Sequence, residues 1–514
     1  MKKERWFNYR PLCLVFVFLM LGSVFAFYCF YDKTNLVNNN LNCILSLIVL
    51  LFGVALILFF AIRNKSVKLL LIPLISLAIG IAVFCLSVST FVNNQFVAPY
   101  SISARIKTIE DHGTFKTVYA DSLYFDGIKT KGVISISIYD YSQMFNGVEI
   151  GKEIKFSPEK ITTTNLFEYD TPSSYYYKKD VKYKAFVKIN NIEFGNTKLT
   201  MAEKVRAQVK KVLYKGLSNE NAELTYSALF GDKTSLQQNS KEAFQLSGVA
   251  HLLAVSGLHV GIIVAILNFV CKLLHIKKWY KVALVAVILL FYMYLCDFSS
   301  SIVRAAIMSI VVLIAPIVMR KYDSLSAIGL AGIICFLFEP LFVFDIGAIM
   351  SFSCVVGITF FNSTISKALL KTRMPGTLAS SFSISASTMI SILIILAYSY
   401  RTLNIISLLA NVILIPLFTI GFVVCFVVGF AGMICPIIGH VLLPANYLFD
   451  FIRLVAQVLG SLPFANFSTI SVPYITIVVY FILLMLMSRI TVAKPEHKMA
   501  VILPVVAILF AIML

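Results

Sequence analysis

Residues 11–31 read PLCLVFVFLMLGSVFAFYCFY, a run without a charged side chain. Comparable apolar runs follow at 41–62 and 68–91 and recur through the second half of the chain. A run of this length spans the hydrocarbon core of a bilayer as a helix, because in lipid the backbone must satisfy its own hydrogen bonds. The sequence therefore predicts a polytopic helical membrane protein, and excludes a soluble enzyme, a collagen-like fibre and a disordered chain.

The composition agrees with this class and adds a charge bias. Of 514 residues, 59% are hydrophobic and 13% are charged, and 44 Lys and Arg against 25 Asp and Glu give a net charge of +19. Two explanations stay open for the excess of basic residues. One is the positive-inside rule, which places Lys and Arg in short cytoplasmic loops. The other is a polyanionic partner, either nucleic acid or anionic lipid.

Composition also divides the chain into four regions. Residues 1–92 form an N-terminal membrane region of about three spans, and residues 219–514 form a second membrane region of about ten helices. Between them, residues 93–200 show short alternating patterns, which predict a small all-β domain of the OB type or a compact sandwich. Residues 201–218 form an amphipathic helix suited to lying on a membrane surface.

Six segments of the predicted β domain have the pattern of strands, and turn signals such as Asp126-Gly127 and Gly195-Asn196 separate them. The predicted strands are Ser101–Ile109, Phe115–Ala120, Val133–Ile138, Glu153–Phe156, Tyr183–Ile189 and Lys198–Ala202.

Basic residues recur at alternate connections between the apolar runs, as at Lys2, Arg63, Lys277 and Arg320. Such connections face the cytoplasm, so we expect a cytoplasmic N-terminus and an external β domain.

The ten cysteines lie in or beside apolar runs and no two have CxxC spacing, which indicates neither a metal cluster nor a disulfide framework.

The most distinctive polar stretch combines two Ser-Gly pairs with two histidines. Ser247-Gly248 and Ser256-Gly257 flank His251, and His259 follows close behind, all at the start of an apolar run. Polar side chains in lipid must find a partner or line water, so these residues are candidates for a polar path. A small-residue packing face with hydrogen-bonded histidines is the alternative. No Cys or Glu joins the histidines at zinc-ligand spacing.

Two further polar residues interrupt the apolar runs. Arg304 lies near the start of a predicted helix, where a buried arginine costs roughly 2–3 kcal/mol unless it has a partner or an aqueous path; snorkelling to the headgroups is the other interpretation. Asp345 begins a later span. Asp450 and Arg453, three residues apart on one helix, are interpreted as a simple ion pair.

Residues 175–188 of the β domain interleave aromatic residues with lysines. This composition suits single-stranded nucleic acid, because bases stack on aromatic rings while lysines neutralise phosphates; an ordinary strand with solvated lysines is the alternative. The candidate DNA-binding residues are Tyr177, Lys178, Lys179, Lys182, Tyr183, Lys184 and Lys188.

Several motifs resemble those of the ComEC competence family, inner-membrane proteins that pass transforming DNA into bacterial cells. Residues 231–236 (GDKTSL) and 251–261 (HLLAVSGLHVG) are similar to the family's signature. Residues 300–308, residues 339–352, and Asn411 with Pro416 resemble the motifs that follow.

The resemblance implies a bacterial inner-membrane channel for a single DNA strand, with an OB-like external domain near its entrance. His251, Ser256, Gly257, His259, Arg304 and Asp345 would line or gate the path. The implied partners are single-stranded DNA, the lipid bilayer, and separate motor, DNA-receptor and nuclease proteins; an oligomer is compatible with this picture.

The sequence contains no phosphate-binding Gly-x-x-x-x-Gly-Lys-Ser/Thr loop and no His-x-His-x-Asp-His cluster, so it resembles the family form without a metallo-β-lactamase-like domain. We expect no enzyme activity, no cofactor and no metal. The alternatives are a solute or lipid transporter on the same scaffold, or a membrane-embedded enzyme that uses His251 or His259 as a base on a lipid-linked substrate.

Overall fold

The computed structural model describes residues 11–30, 68–91, 99–111, 115–139, 148, 150–164, 166, 174–188, 191–319, 322–462, 466–468 and 480. The predicted run at 41–62 lies outside these residues, as do two apolar runs near the end of the sequence, at 472–490 (apart from Tyr480) and 499–514. Five helices in the described part are long and apolar enough to cross a membrane: Lys278–Leu295, Ile346–Lys371, Gly376–Tyr400, Ser407–Ala431 and Pro436–Gly460. The predicted fold class, a helical membrane protein with a β domain, is confirmed.

The chain divides into two compact units, which we describe separately. The β-domain unit comprises residues 14–207 and 332–345, and the helical unit comprises the remainder.

Two apolar helices of the β-domain unit, α1 (Pro11–Phe30) and α2 (Lys68–Phe91), cross at a pair of glycines. A Cβ atom on Gly22 would collide with the Leu77 carbonyl oxygen, and one on Gly80 would collide with that of Leu19. Small residues allow this close backbone approach, which supplies the packing that the hydrophobic effect cannot supply between helices in lipid.

The β domain is a single twisted sheet. Its strands are β1 (Ile102–Asp111), β2 (Phe115–Phe125), β3 (Ile128–Lys129), β4 (Val133–Tyr139), β5 (Lys152–Phe156), β6 (Lys160–Thr163), β7 (Val181–Lys188) and β8 (Ile192–Thr197), with a short helix, α3 (Ser174–Lys178), before β7. The strand order is β6-β7-β4-β2-β1-β5-β8, and β3 pairs with β2.

The connectivity of this sheet favours the OB-type barrel over the sandwich. β7 pairs with β4 in parallel, and β8, which follows β7 after a short connection, pairs with β5 at the other end of the strand order. The chain therefore links both ends of the sheet around one core that includes Ile106, Ile134 and Ile136, all fully buried.

One predicted strand and one predicted turn are wrong. Lys198–Ala202 is not a strand, because α4 (Met201–Gly216) begins within it. Gly195-Asn196 is not a turn but part of β8, and β3 and β6 were not predicted. These strands are short and mostly exposed, so they lack the alternation of apolar residues by which strands are recognised in a sequence.

The β domain packs on α2 through α3. Tyr176 and Tyr177 of α3 pack against a cluster that includes Phe84 and Phe91 of α2. The same cluster includes Leu341 and Phe344, from a 3-10 helix at Pro340–Phe344 that ends directly before Asp345. The β domain, α2 and the segment that leads to Asp345 are therefore held together by aromatic packing.

After α4, the helical unit contains the following helices: α5 (Asn219–Phe230), α6 (Gln238–Leu246), α7 (Gly257–Leu273), α8 (Lys278–Leu295), α9 (Ser300–Ile314), α10 (Ser324–Phe338, shared with the other unit), α11 (Ile346–Lys371), α12 (Gly376–Tyr400), α13 (Ser407–Ala431) and α14 (Leu443–Gly460). Short 3-10 helices lie at Ala250–Leu253 and Pro436–Leu442.

The amphipathic helix α4 buries part of its apolar stripe against protein rather than lipid. Val209 and Val212 are almost fully buried. They contact the glycines at the end of α13 and in the following 3-10 helix, at Gly429, Gly432 and Gly439. This stripe is therefore used for packing within the helical unit, a different role from the predicted membrane-surface position of residues 201–218.

A two-stranded ribbon joins the end of α12 to the segment after α14. Its strands are β9 (Thr402–Asn404) and β10 (Asn466–Ser468), paired antiparallel. The side-chain amide of Asn404 donates to the Gln245 carbonyl at 2.7 Å, and that of Asn466 donates to the Leu246 carbonyl at 3.1 Å. The ribbon therefore holds the end of α6.

Helices α11 and α12 form a close pair along small and polar residues. Ser383 donates to Asn362 Oδ1 at 2.6 Å, and its neighbours Ser387 and Ser391 are buried on the same side of α12. A Cβ atom on Gly357 would lie 2.5 Å from the Ser387 carbonyl oxygen and would also collide with Ser391. The pair can approach this closely only because residue 357 has no side chain.

We expect Gly357→Ala to destabilise the protein, since the new methyl group must push α11 and α12 apart; overpacking of this kind costs about 1–3 kcal/mol. The measurement is the midpoint of thermal unfolding in detergent. Gly376→Ala is the matched control, because nothing lies within 4 Å of a Cβ atom there. Equal midpoints for the two variants would contradict the close packing of this pair.

Candidate functional site

The distinctive polar stretch of the sequence connects α5 to α7 and is fixed at several points. α5 ends at Gly231, which has a φ of 81°. The Tyr292 hydroxyl of α8 donates to the Leu229 carbonyl at 2.7 Å, and the Ser227 hydroxyl donates to the Leu253 carbonyl at 2.8 Å. These bonds satisfy backbone groups that would otherwise be buried without a partner, and they set the position of the following residues.

Ser256 and His259 form the N-terminal cap of α7. The Ser256 backbone N–H donates to His259 Nδ1 at 3.0 Å, and the Ser256 hydroxyl oxygen lies 3.0 Å from the same nitrogen. Since Nδ1 accepts a hydrogen bond, a neutral ring carries its proton on Nε2. This is the reciprocal arrangement of a capping box, with histidine in the place that Glu or Gln usually occupies.

The His259 ring is enclosed by protein. Its residue is fully buried, and its ring centroid lies 4.6 Å from that of Phe422 and 5.9 Å from that of Phe418, both on α13. Its Nε2 has no hydrogen-bond partner among the residues that the structure describes. The prediction that His259 lines a polar path therefore needs correction, because in this conformation the imidazole caps a helix and packs against phenylalanine.

His251, by contrast, is exposed in the 3-10 helix at Ala250–Leu253. It lies near enough to His259 for the two imidazoles to interact electrostatically. Gly257 and Gly261, one turn apart on α7, are also exposed, and no atom lies within 4 Å of a Cβ atom built on Gly261. His251 and these two glycines thus lie at the surface of the helical unit, and their place on a path stays a prediction.

Arg304 lies on α9, close to the start of α7. Its residue is 3% exposed, and its guanidinium carbon lies 4.8 Å from the centroid of the Phe352 ring on α11. The next residue, Ala305, is 3.7 Å from a Cβ atom built on Gly257. A guanidinium over an aromatic face is attracted by the ring quadrupole, and this attraction is stronger away from water.

The structure therefore brings four of the six predicted path residues to one group of helices, α7, α9 and α11. Ser256, Gly257 and His259 lie at the start of α7, and Arg304 lies opposite them on α9. Asp345 is partly buried and immediately precedes α11. His251 belongs to the segment that leads to α7.

In the β domain, the tyrosines of residues 175–188 have internal roles. Tyr183 is 2% exposed and belongs to the barrel core, where its ring packs edge-on against Phe125. Tyr177 is partly buried against Phe91 of α2. The Tyr183 ring is closed to a base, so the predicted stacking at Tyr183 is wrong for this conformation, whereas stacking at Tyr177 stays a prediction. The alternation of β7 turns the odd-numbered residues inward.

Lys179 is likewise committed within the protein. Its ammonium lies 3.0 Å from Glu110 Oε1 and donates to the Tyr175 hydroxyl at 2.6 Å. It also lies 4.2 Å from the ring centroid of Tyr119 and 4.4 Å from that of Tyr175. Burial raises the pKa of Tyr119 to about 12, so its hydroxyl stays protonated in this cluster. Lys179 therefore anchors α3 to β1 and β2.

The other predicted lysines point outward. Lys178 is exposed at the end of α3, and Lys182, Lys184 and Lys188 alternate along the outer side of β7. Lys184 lies 4.5 Å from the Tyr176 ring centroid, and Lys188 pairs with Glu159 at 2.7 Å while remaining 70% exposed. Exposed ion pairs of this kind are weak, so the ammonium groups can exchange partners.

The sequence did not reveal a polar network between α5 and α14. The Asn221 amide, fully buried, donates to Asn446 Oδ1 at 2.8 Å and to Asp450 Oδ1 at 2.7 Å. Arg453 lies 3.6 Å from Asp450 and also pairs with Glu220. The predicted ion pair is thus part of a larger network. Asn446, Asp450 and Arg453 share one side of α14, a spacing that signals a polar helix face.

No group of three or more His, Cys, Asp or Glu residues is arranged to hold a metal ion within the described part of the chain.

Comparison with known proteins finds a family match in the second half of the chain. A family model described as Competence protein matches residues 228–493, just over half of the chain. The chain is 32% identical over 189 residues to ComE operon protein 3 of Bacillus subtilis (strain 168), across 37% of this chain and 24% of that protein. It is 30% identical over 195 residues to an uncharacterized protein of Aquifex aeolicus (strain VF5), across 35% of this chain and 46% of that protein.

The chain therefore matches less than half the length of either relative. No solved structure is significantly similar to it.

The capping role of His259 can be tested by two substitutions. His259→Gln keeps a hydrogen-bond acceptor at the position where Gln is favoured. His259→Ala removes the acceptor, at a cost of about 1 kcal/mol for the cap, and leaves a cavity beside Phe418 and Phe422 that adds to this cost. We expect thermal midpoints in detergent to fall in the order wild type, Gln, Ala. Equal losses for both variants would refute the cap.

Proposed function

The chain belongs to the Competence protein family, and on that premise we propose that it is a multi-pass membrane protein of DNA uptake that passes a single DNA strand into the cytoplasm. The relative whose name refers to the ComE operon supports a role in competence. The membrane would be the bacterial inner membrane, with the N-terminus in the cytoplasm and the β domain outside.

The observation that carries this proposal is the buried cation at Arg304. A charged side chain among apolar helices is rare and costly, and such residues often belong to a substrate or ion path. Arg304 is 3% exposed, and the aromatic face of Phe352 holds its guanidinium. A planar, permanently charged guanidinium is suited to phosphate, with which it can form two parallel hydrogen bonds.

The accessible small residues beside Arg304 support the same path. Gly257 and Gly261 leave room on the α7 surface, and His251 is exposed at the segment that leads to it. Asp345, which directly precedes α11, stays a candidate path residue. His259 contributes by fixing the start of α7 rather than by contact with the strand.

The β domain would collect the strand. Its outward lysines, Lys178, Lys182, Lys184 and Lys188, provide positive charge, and phosphates that bind lysines release condensed counterions. The segment that carries these lysines packs with the 3-10 helix that ends at Asp345, within one unit. A strand held by these lysines would therefore be close to the chain segment that continues into α11.

The proposed role is passage rather than chemistry. A motor, a DNA receptor and a nuclease would be separate proteins, and the passage of the strand would depend on the motor for its energy.

The test is uptake of labelled DNA by a competent strain in which variants replace the wild-type chain, scored as DNA protected from external nuclease. We expect Arg304→Ala to lower uptake at least about tenfold, because loss of one charge-assisted contact costs about 1.5–3 kcal/mol, and Arg304→Lys to restore part of it. All variants must reach the membrane at the wild-type level.

Arg401→Asn is the control, because Arg401 is exposed and its φ of 53° is one that Asn adopts readily. Uptake that is undiminished by Arg304→Ala would remove Arg304 from the path, and uptake that is undiminished by His259→Ala would show that the cap of α7 is not needed for passage.

A further inference from the structure

We propose that the outer face of the β domain around Tyr124 is the surface on which a single DNA strand stacks. This inference rests on the proposed function and specifies its first binding site. It concerns residues of β1, β2, β3, β5 and β8, and none of the lysines or tyrosines of residues 175–188.

Strand register places Tyr124 in a row of residues across the sheet. Tyr124 pairs with Lys129 of β3 on one side and with Ser103 of β1 on the other. Ser103 in turn pairs with Lys155 of β5, which pairs with Glu193 of β8. Neighbouring strands lie about 5 Å apart, so Lys129 is one strand spacing from Tyr124 and Lys155 is about two.

The alternation of β2 turns this row away from the core. Leu123 is fully buried, and Phe125 packs against the core residue Tyr183. Tyr124 lies between them and is 41% exposed. Its ring is therefore accessible on a rigid strand, which is the condition for a base-stacking platform.

Basic groups surround this tyrosine. Lys129 and Lys155 are exposed, and Lys198, whose side chain is 70% exposed, lies near enough to Tyr124 to interact with it. An exposed tyrosine beside the exposed lysines Lys129 and Lys155 combines the two elements of a sequence-tolerant site for single strands, an aromatic face and phosphate-neutralising cations.

Most acidic groups on this face are already paired. Asp121 and Glu203 bind Arg105 at 2.7 and 2.8 Å, and Glu153 binds Lys198 at 2.8 Å. Glu193, opposite Lys155, is the remaining carboxylate of the row. The four basic and four acidic groups named on this face balance in charge, so Lys129 and Lys155 are the cations that it offers to a phosphate backbone.

A comparison with Tyr175 shows why Tyr124 is the better platform. The two tyrosines are almost equally exposed, 42% for Tyr175 and 41% for Tyr124. The Tyr175 hydroxyl, however, lies 2.8 Å from Glu110, and the Lys179 ammonium covers its ring at 4.4 Å. A base that stacks on Tyr175 must first displace this lysine, and its phosphates would approach a carboxylate.

The occupant is a single strand because the platform needs an unpaired base. In a duplex the base faces are stacked on one another, so a side chain on a sheet surface cannot reach them without unstacking the helix. The lysines at about one and two strand spacings can contact phosphates on either side of a stacked nucleotide.

The test uses the full chain in nanodiscs of phosphatidylcholine and an oligothymidylate in which one base is 5-iodouracil. Ultraviolet light cross-links this base to an aromatic ring on which it stacks, and mass spectrometry locates the linked residue. We expect a cross-link at Tyr124 and none at Tyr175. A cross-link at Tyr175 with none at Tyr124 would overturn the inference.

Variants give a second, quantitative readout. Tyr124→Ala should weaken binding of the oligonucleotide by about 5- to 150-fold, the equivalent of one stacked base, and Tyr124→Phe should bind like the wild type. Lys129→Gln and Lys155→Gln should each reduce the slope of log affinity against log salt concentration by about 0.7. All three positions are on the surface, and unchanged thermal midpoints of the four variants would exclude misfolding.

The outcomes separate this inference from the proposed function. If the wild type binds the oligonucleotide in a salt-dependent manner and Tyr124→Ala binds equally well, the assignment of the strand to the face around Tyr124 is wrong, while the proposed function stands. If Tyr124→Ala lowers binding to phosphatidylglycerol vesicles and not to DNA, the face contacts membranes and the inference is wrong. A wild type that neither binds nor takes up DNA overturns both.

Discussion

In a membrane protein a polar group that leaves water is costly unless it finds a partner within the chain, and this constraint shapes the helical unit. Ser256 and His259 satisfy each other at the start of α7, and Tyr292 satisfies the carbonyl at the end of α5. Arg304 lies against the ring of Phe352, and Asn221 joins two helices through its amide. The contacts of Tyr292, Arg304 and Asn221 each join two helices, so polar pairing also contributes to which helices are neighbours.

The fold class could be predicted from the sequence because it depends on properties that are local. Long uncharged runs require spanning helices whatever they pack against, and the alternation of Ile134, Ile136 and Ile138 requires a strand with one buried face. β3, β6 and β8 escaped prediction, since short exposed strands exist only through their pairing with neighbours. Turns also depend on pairing between strands. Gly195-Asn196 has the composition of a turn but lies within β8, because β8 pairs with β5.

The candidate site could be predicted only in part, for a related reason. The residues of the motifs were evident from their types, but their roles depend on contacts that are distant in sequence. Lys179 meets Glu110 across 69 residues, and Arg453 meets Asn221 across 232 residues. The strand period decided that Tyr183 faces the core and Tyr124 faces outward, although the two side chains are chemically identical. Register and pairing, rather than composition, determine which aromatic rings are available.

The small ribbon of β9 and β10 has a mechanical consequence for the helical unit. Its two asparagines hold consecutive carbonyls at the end of α6, and its strands belong to segments on either side of α13 and α14. The end of α6, which precedes α7 in the chain, is thereby hydrogen-bonded to two strands that are distant from it in sequence, β9 and β10. A change of shape in the helical unit that moved the end of α6 would therefore also have to strain this ribbon or break its asparagine hydrogen bonds.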